Sequence, residues 1–487
     1  ISAASAVPDW PQPLRAILSG TAGTGKTVVI NEIVRLLGNR RILLMAPTGN
    51  VAVAIGGRTI HTALKIGVQT NRRRPADPSA LSLASLAALQ TSMTAVDYIL
   101  VDEMSMIGQG LLGLMSIRGK QAMQGCRASE GGPERRQDLF GGLSILLVGD
   151  PMQLPPVGAS PMWSSNPGNA GHTVEGLRAW SGLNAGVELT EVRRQTGPEQ
   201  AAFRQALLGV AQGVAIETHW NLLGTRMRSN VPLQHARSFE DAVHIFPTNA
   251  LADTWNWERL QLLGTTIARI NAYHNIRGDE SAPADRFRGL HPHLFLAVGA
   301  RVFVNNNVWT GAGIANGAVG QVVHMQWGGD RRPPLLPDVV FVRMENYRGP
   351  QYFEEPLQRG ELNLRNVIPI APTDATDDDP PARGRRRGNP PEGGSARCIR
   401  TQLPLMLAFA VTIHKSQGCS LDRVVVDIGR NERTDGQTFT ALSRCREICG
   451  MLLETFDVER LVRIGSSNSF PARLRAMDAI TRLEDRT

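Results

Sequence analysis

No apolar run in these 487 residues approaches the roughly 20 that a membrane-spanning helix needs, and no cationic-then-apolar leader opens the chain. A membrane protein is therefore not expected, and an intracellular location is. Cysteine is scarce: Cys126, Cys398, Cys419, Cys445 and Cys449 are five, an odd number, scattered without paired CxxC spacing. This excludes a disulfide framework. Cys445 and Cys449 have the spacing of one helix face, but without a second pair they make no zinc site, and thiols in a reducing compartment are expected. Aromatic residues are 5% of the chain and mark no evident interface, and no heptad run predicts a coiled coil, so protein partners and oligomeric state stay open. The chain opens at Ile1 rather than Met and reads as a fragment.

What is present is an ordinary globular composition, 42% hydrophobic and 20% charged, long enough for two to four domains at ~100–200 residues each. The net charge of +8 favours a polyanionic partner such as nucleic acid. Arg72-Arg73-Arg74 reads as a solvated loop, and Asp377-Asp378-Asp379 followed by Arg383 to Gly388 as a self-neutralising linker with almost no apolar content.

The chain is organised around Gly20-Thr21-Ala22-Gly23-Thr24-Gly25-Lys26-Thr27, which has phosphate-loop spacing. Leu14 to Leu18 before it suit a buried strand, and Val28, Val29, Ile30, Ile33, Val34 and Leu37 after it recur at helical spacing. Glycines let backbone N–H groups turn inward toward phosphate, and the helix N-terminus adds positive potential. Lys26 is placed to reach the β- and γ-phosphates of ATP, and the Thr27 hydroxyl to ligate Mg²⁺.

Residues 41–47 form a second short apolar run. At 96–103 an apolar strand ends in Asp102 and Glu103, with Asp102 placed to hold Mg²⁺ and Glu103 to orient or deprotonate water. Such a pair also serves as a turn or helix cap, and its company with the phosphate loop is what favours the catalytic reading. A third strand, Leu143 to Val148, runs into Gly149 to Val157, where Gln153 leaves the strand tip as a γ-phosphate sensor and the prolines exclude a helix. A proline-stiffened turn explains that segment equally well on spacing alone.

These segments, followed by Arg193-Arg194-Gln195, His414-Lys415-Ser416-Gln417-Gly418 and Ala441-Leu442-Ser443-Arg444, occur in the order seen in superfamily-one helicases. Pro47-Thr48-Gly49, Ile55 to His61, Phe140-Gly141-Gly142 and Phe246-Pro247-Thr248 add to the match, and from about residue 14 to about 460 the chain resembles the Pif-one family of 5′-to-3′ DNA helicases. The resemblance implies an α/β fold of two tandem RecA-like parallel-sheet motor domains with ATP between them and a small β-rich insert in the second. The expected divisions are 1–185 for the first domain, 186–310 and 399–487 for the second, and 311–398 for the insert, with a disordered loop at about 372–396. Val243 to Phe246, Val424 to Ile428 and Met451 to Leu453 are its expected second-domain strands, and Gly317 to Val323 with Val339 to Met344 those of the insert.

The resemblance also makes Arg194 and Arg444 finger arginines from the second domain, which would stabilise charge on the transferring phosphoryl group. It makes Thr48, His61, His414, Lys415, Ser416 and Gln417 contacts to single-stranded and duplex DNA, although a histidine is as often a satisfied structural group. Trp163 and Trp309 are read as core residues rather than base-stacking ones. The activity implied is ATP-dependent 5′-to-3′ unwinding in repair, recombination or telomere maintenance, in a nucleus or mitochondrion if eukaryotic; the alternative is a transposon-derived relic that binds nucleic acid with little turnover. Two departures stand out. Arg193 replaces the family's usual aromatic, and Gln12 sits too close to the loop to match the family's adenine-reading glutamine, which is expected upstream of Ile1.

Overall fold

The computed structural model describes the chain except residues 1–12, 39, 68–77, 125–136, 167–169, 277–279, 288, 307, 310, 311, 315, 316, 346, 354–363, 377–397, 430, 431, 433, 468, 469 and 485–487. Gln12, Arg72–Arg74, Cys126 and the charged Asp377–Gly388 linker lie outside the described residues. Two compact units emerge, one of Ile1–Arg226, Arg430–Ile448 and Phe456–Thr487, the other of Met227–Gly429 and Cys449–Thr455.

The first unit is built on six strands: β1 (Arg15–Gly20), β2 (Ile42–Ala46), β3 (Arg58–Thr59), β4 (Tyr98–Val101), β5 (Ser144–Gly149) and β6 (Ala185–Leu189). Their spatial order is β3-β2-β4-β5-β1-β6, and every pairing is parallel. A parallel sheet needs helices on both faces, and its strands read as apolar runs such as Ile17 to Leu18 and Leu100 to Val101, all buried. One face packs Ile17, Ile99, Val101, Ile145 and Leu147 with Leu112, Met115, Phe140, Ala476 and Ile480; the other packs Leu18, Leu100 and Val148 with Ile30, Ala52 and Ile55.

Helices Gln109–Gln124 and Gly171–Ser181 touch through paired glycines: a Cβ on Gly113 would stand 1.7 Å from the His172 carbonyl oxygen, and one on Gly176 1.9 Å from that of Gln109. Ser116 Oγ donates to Glu175 Oε1 at 2.6 Å and accepts from the Phe140 N–H at 3.1 Å, tying this pair to the segment that launches β5.

The second unit has a parallel sheet of β7 (Val243–Phe246), β18 (Ala410–Thr412), β19 (Val424–Val426) and β20 (Met451–Leu453) in the order β18-β7-β19-β20. At the sheet edge, Asn256 of helix Asn249–Leu262 donates to the Ala410 carbonyl at 2.9 Å and accepts from its N–H at 2.8 Å. Between β7 and β18 the chain lays down β8 (Ala268–Asn271), β9 (Tyr273–His274), β10 (His293–Leu296), β11 (Arg301–Val304), β12 (Val319–Gln326), β13 (Val339–Met344), β14 (Val367–Ile370), β15 (Thr373–Thr376), β16 (Ile399–Gln402) and β17 (Leu405–Leu407). These pair antiparallel as a five-stranded sheet, β14-β13-β12-β11-β17, with small sheets β15-β16-β9 and β10-β8.

The α/β class and two RecA-like sheets are as expected, as are the strands over 243–246, 451–453 and 339–344. The boundaries differ. β6 pairs with β1, so the first sheet runs past residue 185, and helix Phe470–Glu484 packs on β6 within the first unit. The β-rich insert exceeds 311–398, because β11 and β17 lie outside that range and complete its sheet. Residues 373–376, expected in a disordered loop, are strand β15. Each difference comes from pairing between segments far apart in sequence.

Candidate active site

In a doubly wound sheet, ligands gather beyond the C-terminal strand ends. Four neighbouring ends of the first sheet converge there: the loop Gly20–Thr27 after β1, Asp102 and Glu103 after β4, Asp150 to Gln153 after β5, and Arg193 to Gln195 after β6. The loop begins the helix Lys26–Leu37, and Gly25 at its N-cap has φ 90°, a left-handed conformation that favours glycine. Thr24 Oγ1 donates to the Thr21 carbonyl at 2.9 Å, closing the turn. Thr27 is exposed at the helix start.

Lys26 folds its ammonium back into the loop, where Nζ donates to the Gly20 carbonyl at 2.7 Å and the Thr21 carbonyl at 3.1 Å. Desolvation of Nζ pulls its pKa below the usual lysine range; the carboxylates of Asp150, Glu103 and Asp102 oppose this, and Arg194 adds to it. Burial, reinforced by the neighbouring Glu103 charge, pushes Asp102 up to about 7, against the hydrogen bond it accepts from the Glu103 N–H at 2.8 Å. Three carboxylates thus act on one ammonium; among the described residues no cluster of three such side chains is spaced to hold a metal, so a divalent cation here would take few ligands from the protein and the rest from triphosphate and water. Glu103 holds φ 53°, ψ 51°, left-handed for a non-glycine residue, a strain of order 1–3 kcal/mol.

Gln153 is buried; its Nε2 donates to Asp150 Oδ2 at 3.2 Å, and its carbonyl accepts from Arg473 Nη2. Asp150 Oδ1 also accepts from the Met152 N–H at 2.9 Å, so one carboxylate shapes the whole tip. Arg194 sits against the loop: a Cβ on Gly23 would stand 2.5 Å from its Cβ, and the Arg193 N–H donates to the Gly23 carbonyl at 2.7 Å. Arg194 Nη1 donates to the Ser443 carbonyl at 2.8 Å, and Gln195 Nε2 to that of Cys445 at 2.6 Å. Arg444 is buried, donating from Nε to the Thr440 carbonyl and from Nη2 to Ser443 Oγ, both at 2.8 Å. Both arginines therefore lie in the first unit, not the second as the resemblance implied. Arg193 extends into solvent and pairs with Glu191 at 2.6 Å. Beside the loop, Thr21, Ala22, Thr190, Arg193, Gln195 and Arg204 line a cavity of about 830 Å³.

The residues expected at nucleic acid fall into two groups. Thr48 and His61 lie beyond the ends of β2 and β3, adjacent strands in register at Ala46 and Thr59. His414 to Gln417 follow β18 in the second unit, in a turn capped by Thr412. His414 is half-buried and burial pulls its pKa below the usual histidine value, which favours the neutral ring; among the described residues Nε2 has no hydrogen-bond partner. Ser416 is buried with its hydroxyl donating to the Ile413 carbonyl at 2.8 Å, and Gln417 is buried too, which leaves His414 and Lys415 as the more accessible pair. Trp163 is a core residue against Trp180, whereas Trp309, expected in the core, is 49% exposed. Asp150 and Arg473 are not among the residues expected from sequence at this site; Asp150 carries a signal, an acid at a strand tip like Asp102, and Arg473 carries none.

Loop, acid pair and polar strand tips on a parallel sheet define the class: a RecA-like phosphate-loop protein. Residues 12–219 match the family model of the PIF1-like helicase. An ATP-dependent DNA helicase PIF1 of Xenopus laevis is 27% identical over 454 residues, covering 90% of this chain and 58% of that one. The Pif1 helicase structure from Candida albicans superposes with a TM-score of 0.66 at 20% identity, covering 96% of this chain and 95% of that one. A Bacteroides Pif1 helicase in complex with ADP-AlF3 and single-stranded DNA gives 0.61 at 22% identity, covering 97% and 94%. The similarity to PIF1-like helicases read from the motifs is borne out. The chain spans between 44% and 65% of the length of the foremost curated relatives.

Proposed function

We propose that this chain is an ATP-dependent DNA helicase that moves 5′-to-3′ along single-stranded DNA and unwinds duplex ahead of it. The observation that carries the reading is the convergence of Lys26, Asp102, Glu103, Gln153 and Arg194 at adjoining strand ends of one sheet. On ATP binding, Lys26 exchanges the Gly20 and Thr21 carbonyls for β- and γ-phosphate oxygens, and the nucleoside enters the adjacent cavity. Thr27 and Asp102 would hold Mg²⁺, which supplies charge neutralisation on the phosphates. Glu103 orients and deprotonates the attacking water, Gln153 senses the γ-phosphate, and Arg194 with Arg444 offsets the charge that develops in transfer.

Thr48 and His61 in the first unit, and His414, Lys415, Ser416 and Gln417 in the second, contact DNA through its backbone, indifferent to sequence. Repair, recombination or telomere maintenance, in the nucleus or mitochondrion of a eukaryote, are the roles consistent with such a motor.

The test is ATP hydrolysis by the purified chain with and without single-stranded DNA, beside Lys26→Ala and Arg194→Ala. Stimulation by DNA that both variants abolish supports the motor. Binding of DNA with hydrolysis no higher than that of the variants would establish a non-catalytic relic instead.

A further inference from the structure

At the opposite end of the second unit's parallel sheet, a cavity of about 650 Å³ opens beside Asp241, Phe409 and Arg423, which lie one or two residues before β7, β18 and β19. Among the described residues its walls carry five arginines, Arg259, Arg301, Arg343, Arg365 and Arg423, and two acids, Asp241 and Glu345. Three of the five are held by carbonyls of one turn. Arg423 donates to Ser238 at 2.7 Å, Arg259 to Glu240 at 2.8 Å, and Arg301 to Asp241. A guanidinium has five N–H donors in a rigid fork, so a bond on one edge fixes its plane and leaves the other donors for a ligand. Arg301 also pairs with Glu345 at 2.7 Å, while Asp241, 89% exposed and 3.8 Å from Arg259, neutralises little. Arg343 and Arg365 arrive from the insert sheet, in β13 and just before β14, so two layers of the unit supply positive charge to one space.

We propose that this cavity binds the phosphodiester backbone of a nucleic-acid strand, as a second contact separate from His414 to Gln417. Pre-oriented guanidiniums, an excess of positive charge and a pocket volume within the ordinary ligand range fit phosphate oxygens. Phe409 is the one aromatic ring among the described residues of the lining, so recognition rests on the backbone rather than on stacked bases. β7 spans four residues, roughly 13 Å at 3.3 Å per residue, which sets this cavity apart from the loops at the other strand ends. The contact rests on the reading of the chain as a nucleic-acid motor and extends it to a further stretch of the strand.

The experiment compares the whole chain with Arg365→Gln/Arg423→Gln, both exposed positions, and with Arg365→Glu alone, after their melting temperatures have been matched to the parent. Binding of oligo-dT about 40 nucleotides long and about 10 nucleotides long is measured from ~50 to ~200 mM salt. The expected result is a salt slope shallower by about 1.4 for the long strand, two contacts at ~0.7 each, with binding of the short strand unchanged. An unchanged slope on the long strand overturns the site, and so does a parallel loss on both lengths, which would mean the arginines act through the fold or the main track. Inorganic tripolyphosphate is titrated into a Lys26→Ala background; loss of its binding in the double variant with DNA slopes intact assigns the site to a small anion and overturns the nucleic-acid assignment. Because binding rather than turnover is read, failure of the ATPase reading leaves this result interpretable.

Discussion

Asp102 and Glu103 are neighbours in sequence with different physical situations. Asp102 accepts the Glu103 N–H and is pushed up to about 7 by burial, whereas Glu103 is turned by its left-handed backbone. Glu103→Gln should keep nucleotide affinity while lowering kcat by about 10² to 10⁴, the range for loss of a positioned base; single-turnover hydrolysis beside equilibrium nucleotide binding separates the two. Asp150 is the first-ranked of the charges that keep Lys26 protonated against burial. Asp150→Asn removes that support, so the Lys26 pKa falls further and the alkaline limb of the kcat/KM profile should move to lower pH. An alkaline limb left in place would show that Lys26 takes its charge support from Asp102 and Glu103 instead. The spacing of Gly20 to Thr27 and the acid pair were legible because each motif is contiguous. The left-handed turn at Glu103 was not, since no glycine or asparagine marks it, and Arg473 was not, since its contact with Gln153 joins distant parts of the chain.

At the level of elements, the glycine contact between helices Gln109–Gln124 and Gly171–Ser181 leaves no room for a methyl group. Gly113→Ala should force the helices apart and cost at least about 1–3 kcal/mol, read as a lowered denaturant midpoint. In the second unit, His244 on β7 packs against Trp255 with ring centroids 4.2 Å apart and planes tilted by 33°, and is pulled down to about 4 by burial. The unfolded chain takes up a proton near pH 6.5, the folded one only near 4, so the unfolded state binds more protons within that window. Stability should therefore fall as pH drops from 6.5 to 4, by up to about 3 kcal/mol, and be unaffected by this group above 6.5. His244→Gln should flatten that slope in urea titrations at pH 4.5 and 7.5, and an unaltered slope would place the acid sensitivity elsewhere. Strands β4, β5 and β7 could be read directly as apolar runs. β6 could not: Ala185–Leu189 includes a glycine and a glutamate, and becomes a strand only by pairing with β1.

For the molecule as a whole, the order of the chain and the order of the structure part company. The first unit draws on residues up to 226, then on 430–448, then on 456–487, and the second takes what lies between. Sequence divisions at 185 and 399 follow motifs along the chain and put the C-terminal helix with the second domain, whereas it belongs to the first compact unit, because its apolar residues do not state which sheet they cover. Ala476 and Ile480 join the core of the first sheet, and the backbone there passes so close to Gly186 that a Cβ would stand 2.8 Å from the Ile480 carbonyl. Truncation after residue 455 should therefore expose the β6 region to proteolysis and destabilise the first unit, detectable as early cleavage near 185–189, while the second unit retains its own transition.

That connectivity also constrains how the protein is made. Along these residues the phosphate loop is synthesised well before helix Phe470–Glu484, so the first sheet waits through synthesis of the second unit for the helix that packs on its strand β6. A nascent chain stalled before that point would carry the phosphate loop and the acid pair on an incompletely covered sheet, a form suited to capture by chaperones.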